Sequence, residues 1–212
     1  MDITWFGHSC FRIKGKEVVI LTDPCAESTG YSISKMQADI VTVSHAHPGH
    51  SNLEALEEGY RLINGPGEYE IKDTYITGIA AYHDGEKGAR LGKNTVYVIE
   101  FEGVTLCHLG DLGHQLSPEF VGDMGNINVL LLPVGGHSTI AAAVAADLVR
   151  NLNPGFAVLM HYKTADEKAE LDFPEKFLKE MGIKELASQP KLVVTRTSIP
   201  SSTQVIMLDY RS

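Results

Sequence analysis

The sequence predicts an α/β fold: a four-layer αββα sandwich in which two mixed β-sheets pack face to face and helices flank them. Three observations point to it. Eleven short segments are apolar and β-branched, with the length or alternation of strands. Helical patterns interrupt them. Strands this apolar need a partner on each face, which stacked sheets covered by helices supply. The chain is expected to form one domain over residues 1–212.

"DITWFG", "CFRIKG" and "EVVILTD" form a three-stranded meander over residues 2–23, with "KGKE" as a tight turn. "DIVTVSH" and "TYITGIAAYH" follow. "NTVYVIEFEG" and "VTLCHLGD" are antiparallel neighbours joined at "FEG". "INVLLLPVGG", "FAVLMHY", "LVVTRTS" and "TQVIMLDY" complete the set. Helices are expected at "SNLEALEEG", where Ser51 caps, Glu54 follows three residues later and Gly59 stops. A long helix is expected in "STIAAAVAADLVRNLNPG", capped by Ser138 or Thr139 and ended at Asn153-Pro154. "FPEKFLKEMGI" gives a third, and "SPEFVGDMG" a short fourth. No repeat or low-complexity tract divides the chain.

Composition narrows the function. With 212 residues, 43% apolar and 21% charged, the chain has the make-up of an ordinary globular protein; a single domain of this length buries roughly 70% of its unfolded surface. A formal net charge of -9 without a Lys/Arg cluster argues against an extended nucleic acid partner. Cys10, Cys25 and Cys107 are odd in number and widely spaced, which argues against a disulfide framework or a thiolate zinc site. No apolar run reaches the ~18 residues of a membrane span, and "MDITWFGHSCF" lacks the pattern of a secretory signal. A cytoplasmic enzyme with a small-molecule substrate and no membrane association is expected; composition says nothing about oligomeric state.

The polar chemistry falls at strand ends. Asp23 follows "VVILT", His45 "IVTVS", His83 "GIAAY", Asp111 "VTLCHLG", His137 "LLLPVGG" and His161 "FAVLM". Loops at strand ends are where a rigid scaffold presents functional groups. One histidine there is usually a hydrogen-bonded turn residue. Six such positions, with His45, His47 and His50 crowded into "VSHAHPGHSN", point instead to a metal. The donors are nitrogen and oxygen only, a set that zinc, iron and manganese accept. His45 and His47 lie two apart and share a side of an extended chain, while the Pro48-Gly49 turn swings His50 to a neighbouring point. One loop is thereby placed to serve two ions.

At these residues the chain resembles the metallo-β-lactamase-fold hydrolases. Their pattern is an early strand-end aspartate, a His-x-His-x-Asp-His loop, then a histidine, an aspartate and a final histidine. Asp23, His45, His47, His50, His83, Asp111 and His161 match in kind and order. "WFGHSCFRI" and "MHYKT" resemble the branch that includes ascorbate-6-phosphate lactonase. The resemblance implies one ion on His45, His47 and His83, a second on His50 and His161, and Asp111 bridging as a catalytic residue. Asp23 would orient the histidine loop from behind. Gly49 is the departure, for it stands where the family has a metal-binding aspartate. On this reading Gly49→Asp should tighten the second site.

The resemblance implies a metal-dependent hydrolase with one or two Zn²⁺, Mn²⁺ or Fe²⁺ being alternatives, acting through metal-activated water on a small ester, lactone, amide or phosphoester. His137, expected to precede a helix amino terminus directly, and Lys163 are candidate contacts for developing negative charge. His8 is a further candidate facing the site. His108, His114 and Cys107 read as structural. Two alternatives stand beside this reading: a phosphodiesterase or nuclease of the same fold, and a non-catalytic metal-binding module, which Gly49 favours.

Overall fold

A computed structural model describes residues 1–210. The strands are β1 (Asp2–Trp5), β2 (Phe11–Lys14), β3 (Val19–Thr22), β4 (Ile40–Thr42), β5 (Arg61–Ile63), β6 (Gly67–Ile71) and β7 (Thr74–Tyr82). They continue as β8 (Lys93–Phe101), β9 (Val104–His108), β10 (Val129–Pro133), β11 (Phe156–Met160), β12 (Ser188–Gln189), β13 (Leu192–Val193) and β14 (Gln204–Leu208). Three α-helices accompany them: α1 (Pro118–Met124), α2 (Ala142–Leu152) and α3 (Glu175–Glu180).

The strands form two mixed sheets, ordered β13-β1-β2-β3-β4-β5 and β12-β14-β11-β10-β9-β8-β7-β6. Alternation sorts the first sheet's side chains between two cores. Ile20 and Ile40 face the main core with Val96, Leu106 and Leu130 of the second sheet. Their neighbours Leu21 and Val41 face a smaller cluster with Cys10, Cys25, Tyr31 and Ile33. On the second sheet, β10 and β11 are buried along their whole length. Ala145, Ala146, Val149 and Phe177 of α2 and α3 join the same core, which is the expected α/β sandwich.

The helices are fewer than expected. "SNLEALEEG" makes one 3₁₀ turn, Leu53–Ala55, and Ser51 donates to the His47 carbonyl instead of capping a helix. Its backbone is committed elsewhere: Asn52 N bonds Pro24 O, Met36 N bonds Ala55 O and Glu57 N bonds Met36 O. Loops and 3₁₀ turns, including Glu27–Thr29, therefore pack against the small cluster on that side. Helix α2 starts later than expected, after an extended Ala141 with no side-chain cap. Thr139 is drawn into a turn onto Gly136 O. The far end is as expected, with Asn153 left-handed at φ 44° before Pro154. Ser117 caps α1 through Phe120 N at 3.2 Å.

Direction places the chemistry. In the first sheet β1, β3 and β4 run the same way, because β2 is antiparallel to both β1 and β3 and β4 is parallel to β3. In the second, β9, β10 and β11 are parallel, and β7 runs with them because β8 is antiparallel to both β7 and β9. The carboxyl ends in each sheet thus share one rim. Among the described residues no helix is long and apolar enough to cross a membrane.

Candidate metal centre

On that rim Asp111 is the common point. Its Oδ2 lies 3.2 Å from Nε2 of His50, of His83 and of His161, and 3.9 Å from Nε2 of His45. All five side chains are buried. His47 is exposed and sits against His45 and His83, with which it forms one triad of potential ligands. His8, His50, Asp111 and His161 form a second group.

Outside this ring, acceptors fix the imidazoles. Asp23 is fully buried and takes three hydrogen bonds: from Ser44 N at 2.7 Å, from Ser44 Oγ at 2.5 Å and from His50 Nδ1 at 2.9 Å. The Ser44 hydroxyl spends its one proton on Asp23, so at 2.9 Å it accepts from His45 Nδ1. His83 Nδ1 donates to Ser138 O at 3.0 Å, and His8 Nδ1 donates to the buried Glu167 Oε2 at 2.9 Å. Each of these four imidazoles therefore places a proton on its outer Nδ1 and turns Nε2 inward. Asn94 Oδ1 accepts from Asp111 N at 3.0 Å, steadying Asp111 at the middle of the ring. Gly110 fits beside it at φ +56°, where a Cβ would meet Asn94 Oδ1 at 2.4 Å.

Four Nε2 atoms and a carboxylate oxygen converge here in a buried space, an arrangement of donors suited to a cation. His45 Nε2 is buried with no hydrogen-bond partner among the described residues. Burial pushes His45 down to about 3 and His8 down to about 4, so both stay neutral, the state a metal requires. Burial opposes charge on His50 too, but Asp111 and Asp23 outweigh it and pull its pKa up to about 10. His161 and then His50 hold Asp111, against its burial, well below the usual carboxylate range. The donor set fits one or two divalent transition metals. A groove of about 600 Å³ reaches this centre, with His45 and His47 in its lining beside Asn64, Tyr82, Leu91 and Lys93.

Comparison with known proteins gives the family. A family model described as "Beta-lactamase superfamily domain" matches residues 2–161. A UPF0173 metal-dependent hydrolase of Thermoplasma volcanium is 31% identical, covering 78% of this chain and 85% of its own. The chain belongs to the UPF0173 family of the metallo-β-lactamase superfamily. A UPF0173 protein of Pyrococcus furiosus is 32% identical over 85% of this chain and 90% of its own. A solved Thermotoga maritima structure, proposed to be a Zn-dependent hydrolase of the same superfamily, superposes with a TM-score of 0.82 at 36% identity, covering 99% of each chain.

Not every expected residue of this UPF0173 protein reaches the ring. His137 does not precede a helix directly, since α2 begins at Ala142; its side chain is exposed and pairs with Asp172 Oδ1 at 3.4 Å. His137 therefore does not sit at a helix amino terminus that could favour an anion. Lys163 bends away to the carbonyls of Glu167 and Ala169, so it clasps the loop that carries Glu167. His108 is buried, bonding Ser9 O at 3.0 Å, and His114 accepts from Tyr82 N, both structural placements. Ser44 and Glu167 are the participants that sequence reasoning missed. "TVSHAH" offered a hint for Ser44, adjacent to His45; nothing in "TADEKAE" marks Glu167.

Proposed function

We propose that this UPF0173 protein is a hydrolase that binds two zinc ions and cleaves a small ester, lactone, amide or phosphoester. One observation carries the reading: imidazole Nε2 atoms surround Asp111 Oδ2 in a buried space beside an open groove. His45, His47 and His83 would hold one ion, His50 and His161 the other, with Asp111 shared. Bound zinc supplies Lewis acidity and lowers the pKa of water towards ~7. An imidazole-rich set suits zinc better than manganese, which prefers oxygen.

The chain's own residues supply position. Asp23 holds His50 directly and His45 through Ser44, so one carboxylate steadies both halves of the loop. A groove of about 600 Å³ is of small-molecule size. A net charge of -9 disfavours a polyanionic substrate. Purified protein should contain zinc and hydrolyse members of an ester and lactone panel, losing activity on chelation and regaining it with zinc. Full activity in the metal-stripped protein would overturn the reading.

A further inference from the structure

Gly49 leaves the second ion one ligand short of the pattern that the sequence resembles. The space beside it is filled. A Cβ at position 49 would lie 3.0 Å from Thr29 Cγ2, 3.2 Å from His8 Nε2 and 3.5 Å from His8 Cδ2. Glycine there makes room for the His8 ring. We propose that His8, oriented by Glu167, is a ligand of the second ion and replaces the missing aspartate. Each ion is then held by three imidazole nitrogens and the shared Asp111. This inference rests on the metal-centre reading above.

His8 Nε2 lies 3.1 Å from His50 Nε2. One ligand atom each from His8, His50, Asp111 and His161 lies within 4.8 Å of all the others. Glu167 and Asp23 accept from Nδ1 on the far sides of the His8 and His50 rings, so both rings turn Nε2 into the space shared with Asp111 and His161. A cation in that space would take all four residues as ligands. A carboxylate behind a metal-binding histidine is the arrangement that fixes its tautomer and strengthens its donation.

The backbone is shaped to the same end. His8 is left-handed at φ +51°, a conformation that costs ~1 kcal/mol or more for a residue with a side chain. Its carbonyl accepts from Trp5 Nε1 at 3.1 Å and from His161 N at 3.0 Å, which ties it to another ligand of the same ion. On this proposal Gly49→Asp alone would not tighten the site, because its Cβ would press on Thr29 and on the His8 ring already there.

The test is a zinc titration of stripped protein against a chromophoric chelator, with circular dichroism to follow the fold. Wild type should take up two equivalents. His8→Gly, chosen because glycine adopts φ +51° freely, should take up one, and added imidazole should restore the second. His8→Gly with Gly49→Asp should also regain it, whereas Gly49→Asp alone should gain no affinity. His8→Gly binding two equivalents at wild-type affinity would overturn the proposal. If His8→Gly does not fold, Glu167→Gln decides: weakening of the second ion by about 10–100-fold supports the proposal, and unchanged affinity overturns it. Wild type taking up no zinc would instead overturn the metal-centre reading itself.

Discussion

The two halves of the centre are built from the same donors but differ in access. In the half formed by His45, His47 and His83, the first two line the groove, and His47 is exposed. His8, His50 and His161 are all buried, and two of them are backed by the buried carboxylates Glu167 and Asp23. The first half therefore suits exchange of water and substrate. The second suits retention, because buried groups braced from behind have little freedom to leave. Asp111 joins the two, so the proposed ions should differ in off-rate more than in ligand chemistry.

The largest effect should come from removing what the halves share. Asp111→Asn should lose both ions by metal analysis and lower hydrolysis by ~10³-fold or more, equivalent to about 4 kcal/mol of transition-state stabilisation. Substitutions within each half should then separate them. His50→Ala should lose the second ion and destabilise the fold by about 3 kcal/mol in urea unfolding, because Asp23 and Asp111 lose a buried partner. His47→Ala should lose the first ion with the unfolding midpoint of the metal-free protein unchanged, since His47 is exposed. Equal destabilisation by the two would erase the contrast.

Smaller effects come from the supports. Asp23→Asn should weaken zinc binding at both halves by about 10–100-fold, measured by chelator competition. Asp84 gives the mildest change. Its carboxylate accepts from the amides of Glu86, Gly88, Arg90 and Leu91, shaping the loop that carries Leu91 to the groove. Those bonds, led by Leu91 N, hold its pKa below the ordinary 3.8. A depressed carboxylate stabilises the fold above its unfolded pKa and loses that contribution as pH falls through the folded value. Wild type should therefore be more stable than Asp84→Asn at neutral pH, with the gap closing below about pH 4 in thermal melts. A gap that widens in acid would contradict the assignment.

What was legible in the sequence was what repeats. Apolar strands announced both sheets, and the placing of Asp23, His83, Asp111 and His161 after them pointed to one rim. The strands that escaped notice, β5, β6 and β12, lie at sheet edges with largely exposed residues, so no apolar pattern marks them. The helix expected at Ser51 failed because tertiary bonds to Pro24 and Met36 claimed its backbone. Glu167 was invisible because its role depends on Lys163 folding its loop back towards His8, a contact 159 residues apart in sequence. His8 was legible as a candidate facing the site; its bond to Glu167 and its fit to the space at Gly49 were not.

The central claim is that two ions lie side by side on either side of Asp111. Anomalous scattering from crystals of the zinc-loaded protein measures this directly. Two zinc peaks about 3.5–4 Å apart are predicted, one against His45, His47 and His83 and the other against His8, His50 and His161. Loaded crystals with no peak within bonding distance of Asp111 would contradict the account.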